Sequence, residues 1–129
     1  MKVLQPPGWK RPKGYANGIM AAGRQVYVAG QIGWDANETF HTDDFAEQAK
    51  QALQNVLAVL KEAGAEPRHV ARMTWYVTDK QAYKEAARKV GEAWRETMGA
   101  HYPAMTLLEV KSLAEDRALI EIEATAVLP

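Results

Sequence analysis

The sequence predicts an α+β domain of two layers, a mixed sheet with two helices on one face. Three observations carry this. "ALIEIEATAV" (118–127) alternates apolar and polar residues along its length, the period of a strand with one covered face. Two stretches, 44–64 and 79–99, instead repeat apolar residues at helical spacing. Between them "VARMTWYVTD" (70–79) alternates again, so strands and helices interleave in the order ββ-α-β-α-ββ. At 129 residues the chain is expected to form a single domain over 1–129.

Taken in order, residues 1–13 hold Pro6, Pro7, Gly8 and Pro12 and are expected to form an irregular N-terminal arm. "GIMAAGRQVYVAG" (18–30) predicts a β-hairpin turning at Ala22, Gly23 and Arg24. Asp44 and Glu47 fit a capping box, in which each side chain answers the other end's free amide. From there Ala46, Ala49, Leu53, Val56, Leu57 and Leu60 form one stripe, and Gly64 suits a left-handed stop. This is a helix of about five turns.

In the next strand Ala71, Met73, Trp75 and Val77 point one way, and Arg72, Thr74 and Tyr76 the other. Asp79 can cap a second helix, with Tyr83, Ala87, Val90, Trp94 and Met98 on one face and Gly99 as its stop. Pro103 prevents that helix from continuing; "AMTLLEVK" follows as a strand, "SLAEDR" as a turn and the alternating run as the last strand. In that run Ile120, Ile122, Ala124 and Ala126 oppose Glu121, Glu123 and Thr125. The two helices cover one sheet face. The other, expected to be partly apolar near Trp75 or the opposite row with Tyr76, and near Met105 and Leu107, predicts that copies of the chain pack their sheets together.

Composition removes several functions. Lys+Arg and Asp+Glu are 16 each, a formal net charge of zero, which argues against a nucleic-acid partner tracked through its phosphates. There is no cysteine, hence no disulfide, thiolate nucleophile or cysteine-bound metal. His41, His69 and His101 are too widely spaced for a zinc motif, so no metal site is expected. No run of about 18 apolar residues suggests a membrane span, and no apolar signal core begins the chain, so the expected location is the cytoplasm.

The chain resembles the Rid family, reactive intermediate deaminases also called the YjgF or translation-inhibitor family. The resemblance runs from about Gly14 to Val127 and is carried jointly by "VYVAGQIGWD" (26–35), "QALQNVLAVLKEAGA" (51–65), "RMTWYVTD" (72–79) and "YPAMTLLEVKSLAEDRALIEIEATAV" (102–127). It implies a chorismate-mutase-like fold and a homotrimer with ligand clefts between subunits. It also implies hydrolysis of 2-enamine or 2-imine intermediates to 2-keto acids and ammonia, without a cofactor.

The family's deaminase motif is P-A-R-[ST], whose arginine clamps the substrate carboxylate through two parallel hydrogen bonds. Here the motif reads Pro103-Ala104-Met105-Thr106, and Leu107 stands two places beyond Met105. A thioether and an isobutyl group cannot hold a carboxylate. Losing such a charge-assisted pair costs about 1.5–3 kcal/mol. The resemblance also matches Glu121 in "IEIEA" to the glutamate that orients or activates the attacking water. It matches Tyr15 in "GYANGI" to an early tyrosine, and Gly30 to a backbone position lining the cleft.

Each candidate has two readings. Glu121 is a solvated carboxylate beside Glu123, or a proton carrier in a dry cleft between subunits. Met105 and Leu107 are packing residues, or the wall of an apolar pocket suited to a less polar small-molecule ligand. Trp34, in the loop after Gly33, is a cleft candidate because loops carry function. Tyr15 bonds a ligand or satisfies a turn. Arg88, 17 residues before Met105, replaces the missing guanidinium or pairs with Glu85 or Glu92 on its own helix. Two functions stand: an enamine or imine hydrolase or tautomerase with an apolar pocket, and a non-catalytic trimer that binds a metabolite. Cleavage of RNA fits poorly, since no two histidines are spaced for acid–base catalysis.

Overall fold

The alternating run at 118–127 becomes an interior strand of the main sheet. The computed structural model describes residues 1–129. Strands span Lys2–Leu4 (β1), Gly18–Met20 (β2), Arg24–Ile32 (β3), Val70–Val77 (β4), Ala104–Glu109 (β5) and Ile120–Leu128 (β6). Helices span Phe45–Glu62 (α1), Lys80–Glu85 (α2) and Ala87–Met98 (α3), with one 3-10 turn at Pro67–His69. The main sheet runs β3-β6-β4-β5. β6 is antiparallel to β3 and β4, while β4 and β5 are parallel. That parallel pair needs a long crossover, which α2 and α3 supply. The mixed sheet with its helices on one face is the architecture expected from the sequence. None of these helices is long and apolar enough to cross a membrane.

The core lies between sheet and helices. Ile120, Ile122, Ala124 and Ala126 of β6 are buried, as are Met73, Trp75 and Val77 of β4. Leu53, Val56 and Leu60 of α1 and Val90, Trp94 and Met98 of α3 join them in one cluster. Each fully buried aliphatic side chain contributes about 1.5–3 kcal/mol. A bulge after Val70, where Val70 pairs with Ala126 and Arg72 with Thr125, brings Val70 into the core row and leaves Ala71 half-buried.

Four local expectations need correction. The arm at 1–13 is not wholly irregular: β1 pairs antiparallel with β2, Lys2 opposite Met20 and Leu4 opposite Gly18. The hairpin over 18–30 does not form either. β2 takes β1 as its partner, while β3 pairs with β6 from Arg24↔Leu128 to Ile32↔Glu121. The longer β3 finds in β6 a partner of equal length. At the entry to β3, Gly23 has φ +144, and a Cβ there would lie 1.9 Å from the Leu128 carbonyl oxygen, so only glycine fits this approach.

Only half of the capping box forms. Asp44 accepts the Glu47 amide at 3.0 Å, but its own amide donates to Thr42 Oγ1 at 2.9 Å. The second predicted helix is two helices. Asp79 caps α2 by accepting the amides of Gln81 and Ala82. Ala86, at φ −91 and ψ 6, then breaks the run before α3. Before the break, Tyr83 sits edge-on to Phe45 and Trp75, with ring centroids 6.1 and 6.4 Å away. Gly64 (φ +72) follows α1 and Gly99 (φ +68) follows α3, as their sequence positions suggest.

The open sheet face is more polar than expected. Met105 and Leu107 are in register with Met73 and Trp75 and pack against the core. Neighbouring strands in register share a face, so both residues belong to the helix-covered side. The open side instead carries Tyr27 (72% exposed), Arg72, Tyr76, Glu121 and Glu123.

One buried polar side chain joins α1 to the loops around it. Gln48 Nε2 donates to the carbonyls of Thr42 and Arg117, both at 3.0 Å, and Gln48 Oε1 accepts the Leu119 amide at 2.9 Å. Gln48→Leu orphans these backbone groups and is expected to lower stability by about 3 kcal/mol. Urea unfolding measures this, and a midpoint equal to the wild type's would contradict it.

Candidate functional site

Glu121 is an outward residue of β6, facing away from the core row. Beside it β3 is irregular: Val28 opposes Ala124, but Gln31 opposes Ile122, so Ala29 and Gly30 together face Glu123. Such bulges re-aim side chains. Here the bulge leaves room for a carboxylate. A Cβ on Gly30 would lie 2.3 Å from Glu121 Oε2, so the glutamate lies directly over Gly30 and any larger residue would displace it.

A cavity of about 440 Å³ opens at this point, lined by Gly30, Gln31, Ile32, Trp34, Ala114, Glu115 and Glu121. Three of the predicted site residues, Gly30, Trp34 and Glu121, therefore meet within one chain. Glu115 is a second carboxylate that sequence reasoning missed. It sits in the turn "SLAEDR", where no periodicity or motif distinguishes it from a solvated charge.

The cavity walls are held from below. Asn55 Nδ2 of α1 donates to the carbonyls of Ile32 (2.9 Å) and Trp34 (2.7 Å). Trp34 leans on Phe40, their centroids 5.7 Å apart, and the Arg117 guanidinium lies over Phe40 while bonding Asp43 at 2.9 Å. Asp35 closes the loop. It lies 2.6 Å from His41 Nε2 and accepts the amides of Asn37 (2.8 Å) and Thr39 (3.1 Å). The hydrogen bond from His41, then those from the Thr39 and Asn37 amides, hold its carboxyl below the ordinary value of 3.8.

Across the strand from Glu121 stands Tyr76. Its hydroxyl donates to Glu123 Oε1 at 2.6 Å. That bond, burial, and the charges of Glu123 and Glu121 raise its pKa above 10.0, so the phenol keeps its proton.

The remaining candidates lie apart. Tyr15, 41% exposed, lines a cavity of about 400 Å³ together with Arg11, Arg68 and His101. Its neighbour Ala16 is fixed to the start of β5 by a 2.9 Å bond from its amide to the Pro103 carbonyl. Met105 lines a groove of about 380 Å³ between α3 and β5, and Leu107 packs on the core. Arg88, 93% exposed, pairs with Glu92 at 3.5 Å. His101 Nε2 lies 2.7 Å from the Val70 carbonyl oxygen. Nowhere do three or more His, Cys, Asp or Glu side chains converge as a metal site would require.

Comparison with known proteins places the chain in a family and matches its fold. The family model described as Endoribonuclease L-PSP matches residues 9–128. A RutC family protein of Pyrococcus abyssi is 34% identical over 117 residues, covering 90% of this chain and 88% of its own. The human 2-iminobutanoate/2-iminopropanoate deaminase is 32% identical over 105 residues, 81% of this chain and 73% of its own. Among crystal structures, the Rid-family protein YyfB of Yersinia pestis, described as of unknown function, superposes with a TM-score of 0.86 at 32% identity, covering 98% of both chains. The YjgF gene product of E. coli does so with a TM-score of 0.73 at 27% identity over the whole of both chains.

The ionised form of Asp35 orders the loop that carries Trp34. Because its pKa is lowered on folding, this contribution is fully present above the ordinary value of 3.8 and is lost as the pH falls through the lowered one. Trp34 emission is expected to change on acidification below that value. The change should be absent in Asp35→Asn, and an identical acid limb in both proteins would contradict the assignment.

Proposed function

The chain belongs to the Rid (YjgF, L-PSP) family, and from that premise we propose that it hydrolyses or tautomerises a small enamine or imine of low polarity in a cleft between subunits of a trimer. What supports the reading is the carboxylate of Glu121, held over Gly30 in a cavity with Trp34 at its rim. Relatives at about a third identity are named deaminases of 2-iminobutanoate and 2-iminopropanoate.

The chemistry asks for a proton carrier and a place for water. Water adds to the carbon of the C=N bond, and Glu121 takes its proton as the C–O bond forms. That proton passes to nitrogen to give a carbinolamine; its hydroxyl proton then moves to nitrogen by way of Glu121 as the C–N bond breaks, and ammonia leaves a carbonyl product behind. Tautomerisation uses the same carboxylate to move a proton between carbon and nitrogen. Backbone amides near Gly30 steady the developing charge, and no cofactor takes part. Tyr15 orients the ligand from a neighbouring subunit, because within one chain it is remote from Glu121.

Met105 stands in the motif where an arginine would bind a carboxylate, and it borders an apolar groove. The substrate is therefore less polar than a small 2-imino acid. The same replacement favours a second reading, a trimer that binds a metabolite without turning it over. The Endoribonuclease description of the family model suits this chain less well, since its formal net charge is zero and phosphate binding needs clustered cations.

Ammonia release from aromatic enamines and amino-acid-derived imines distinguishes the two readings. The wild type is expected to release it, with light scattering giving the mass of three chains. Glu121→Ala is expected to be slower by a factor of about 10²–10⁴. Equal traces from both proteins would leave only the binding reading standing.

A further inference from the structure

We infer that the groove between α3 and β5 binds a flat aromatic monocarboxylate, its ring held by Trp75, Trp94, Tyr102 and Met105 and its carboxylate by Arg95 and Lys13. The inference deepens the proposed reading, since Met105 belongs to both. Binding, however, can be measured without turnover.

The walls suit a ring. Trp94 and Tyr102 stack with an interplanar angle of 9° and centroids 6.1 Å apart. Trp75 tilts against Trp94 at 6.1 Å. Met105 and Val90 complete an apolar lining around about 380 Å³, within the range of small-molecule pockets. On α3 the residues fronting the groove are small, Ala87 and Gly91. A Cβ on Gly91 would meet only Arg95 Nη1, at 3.6 Å. The guanidinium thus lies along the helix beside the groove.

The polar groups ask for acceptor oxygens. Arg88 of α3 pairs with Glu92, and Glu96 of α3 pairs with Lys50. Arg95 and Lys13 have no acidic partner, and no carboxylate lines the groove with them. Trp94 Nε1–H donates to the His101 carbonyl at 3.1 Å. Trp75, 2% exposed, differs: its Nε1–H is the one buried side-chain donor without an acceptor. Buried donors are rarely left in this state. The Trp75 N–H lies beneath the groove surface, but two cations without acidic partners beside aromatic walls fit a ligand that is apolar at one end and anionic at the other. The two-pronged bond a guanidinium makes to a carboxylate is then supplied from α3, not from the strand position occupied by Met105.

The test is calorimetry on the full chain with indole-3-acetate, indole-3-acetamide and acetate. Indole-3-acetate is expected to bind about tenfold more tightly than either of the others. The double variant Lys13→Ala/Arg95→Ala, both exposed positions, should lose that tenfold preference, while Arg24→Ala at the far edge of the sheet should keep it. In a ¹H–¹⁵N spectrum the indole N–H signals of Trp75 and Trp94 should move on binding, and that of Trp9 should not. No heat with the wild type, equal affinity for acid and amide, or unmoved Trp75 and Trp94 signals would each overturn the inference. Binding without ammonia release from any imine sinks the catalytic reading and leaves this one intact; release from aliphatic imines without binding of the aromatic acid does the reverse.

Discussion

The alternation of side chains along β6 is the constraint on which the rest depends. Its inward residues, Ile120, Ile122, Ala124 and Ala126, form the floor of the core, and its outward residues include Glu121 and Glu123. Because side chains alternate with a period of two, a slip of one residue would bury the carboxylates and expose the isoleucines. Hydrogen bonding on both edges, to β3 and to β4, makes such a slip costly. The register that folds the protein is therefore the register that presents Glu121. The bulge in β3 and the bare Cα of Gly30 then provide the space that the carboxylate occupies.

A second layer of control comes from amide side chains on α1. Gln48 and Asn55 lie on the helix that covers the sheet, yet their hydrogen bonds go to loop carbonyls at Thr42, Arg117, Ile32 and Trp34. These loops lead to both walls of the cavity at Glu121. Gly33 must lack a side chain for the same reason: a Cβ there would lie 2.6 Å from Gln48 Cβ. Helix packing and site geometry are thus linked through a few buried polar contacts, which cost little when satisfied and much when one partner is removed.

The single chain separates two chemistries. Glu121 stands with Gly30 and Trp34 on one side of the sheet, and Met105 stands with the aromatic groove on the other. The sheet lies between the Glu121 carboxylate and the apolar wall at Met105, so the two do not meet within one copy.

By itself the sequence determined the fold class, the stripe of α1, both helix-ending glycines and the faces of β4 and β6, because these follow from local periodicity and local backbone sterics. Glu121 and Gly30 were singled out only through resemblance, and the structure brings them to one cavity. The tertiary structure decided what depends on partners distant in the chain. β2 and β3 both read as strands, but only their partners β1 and β6 show that they form no hairpin. Ala86 interrupts the second helix with no proline or glycine to announce it, and Tyr83 before the break packs against Phe45 and Trp75. Met105 and Leu107 turn to the helix side because parallel register with Met73 and Trp75 leaves them no other face. Glu115 and Gln48 carry no signal in sequence, since a turn carboxylate and a helix amide acquire their roles only when residues far along the chain are folded against them.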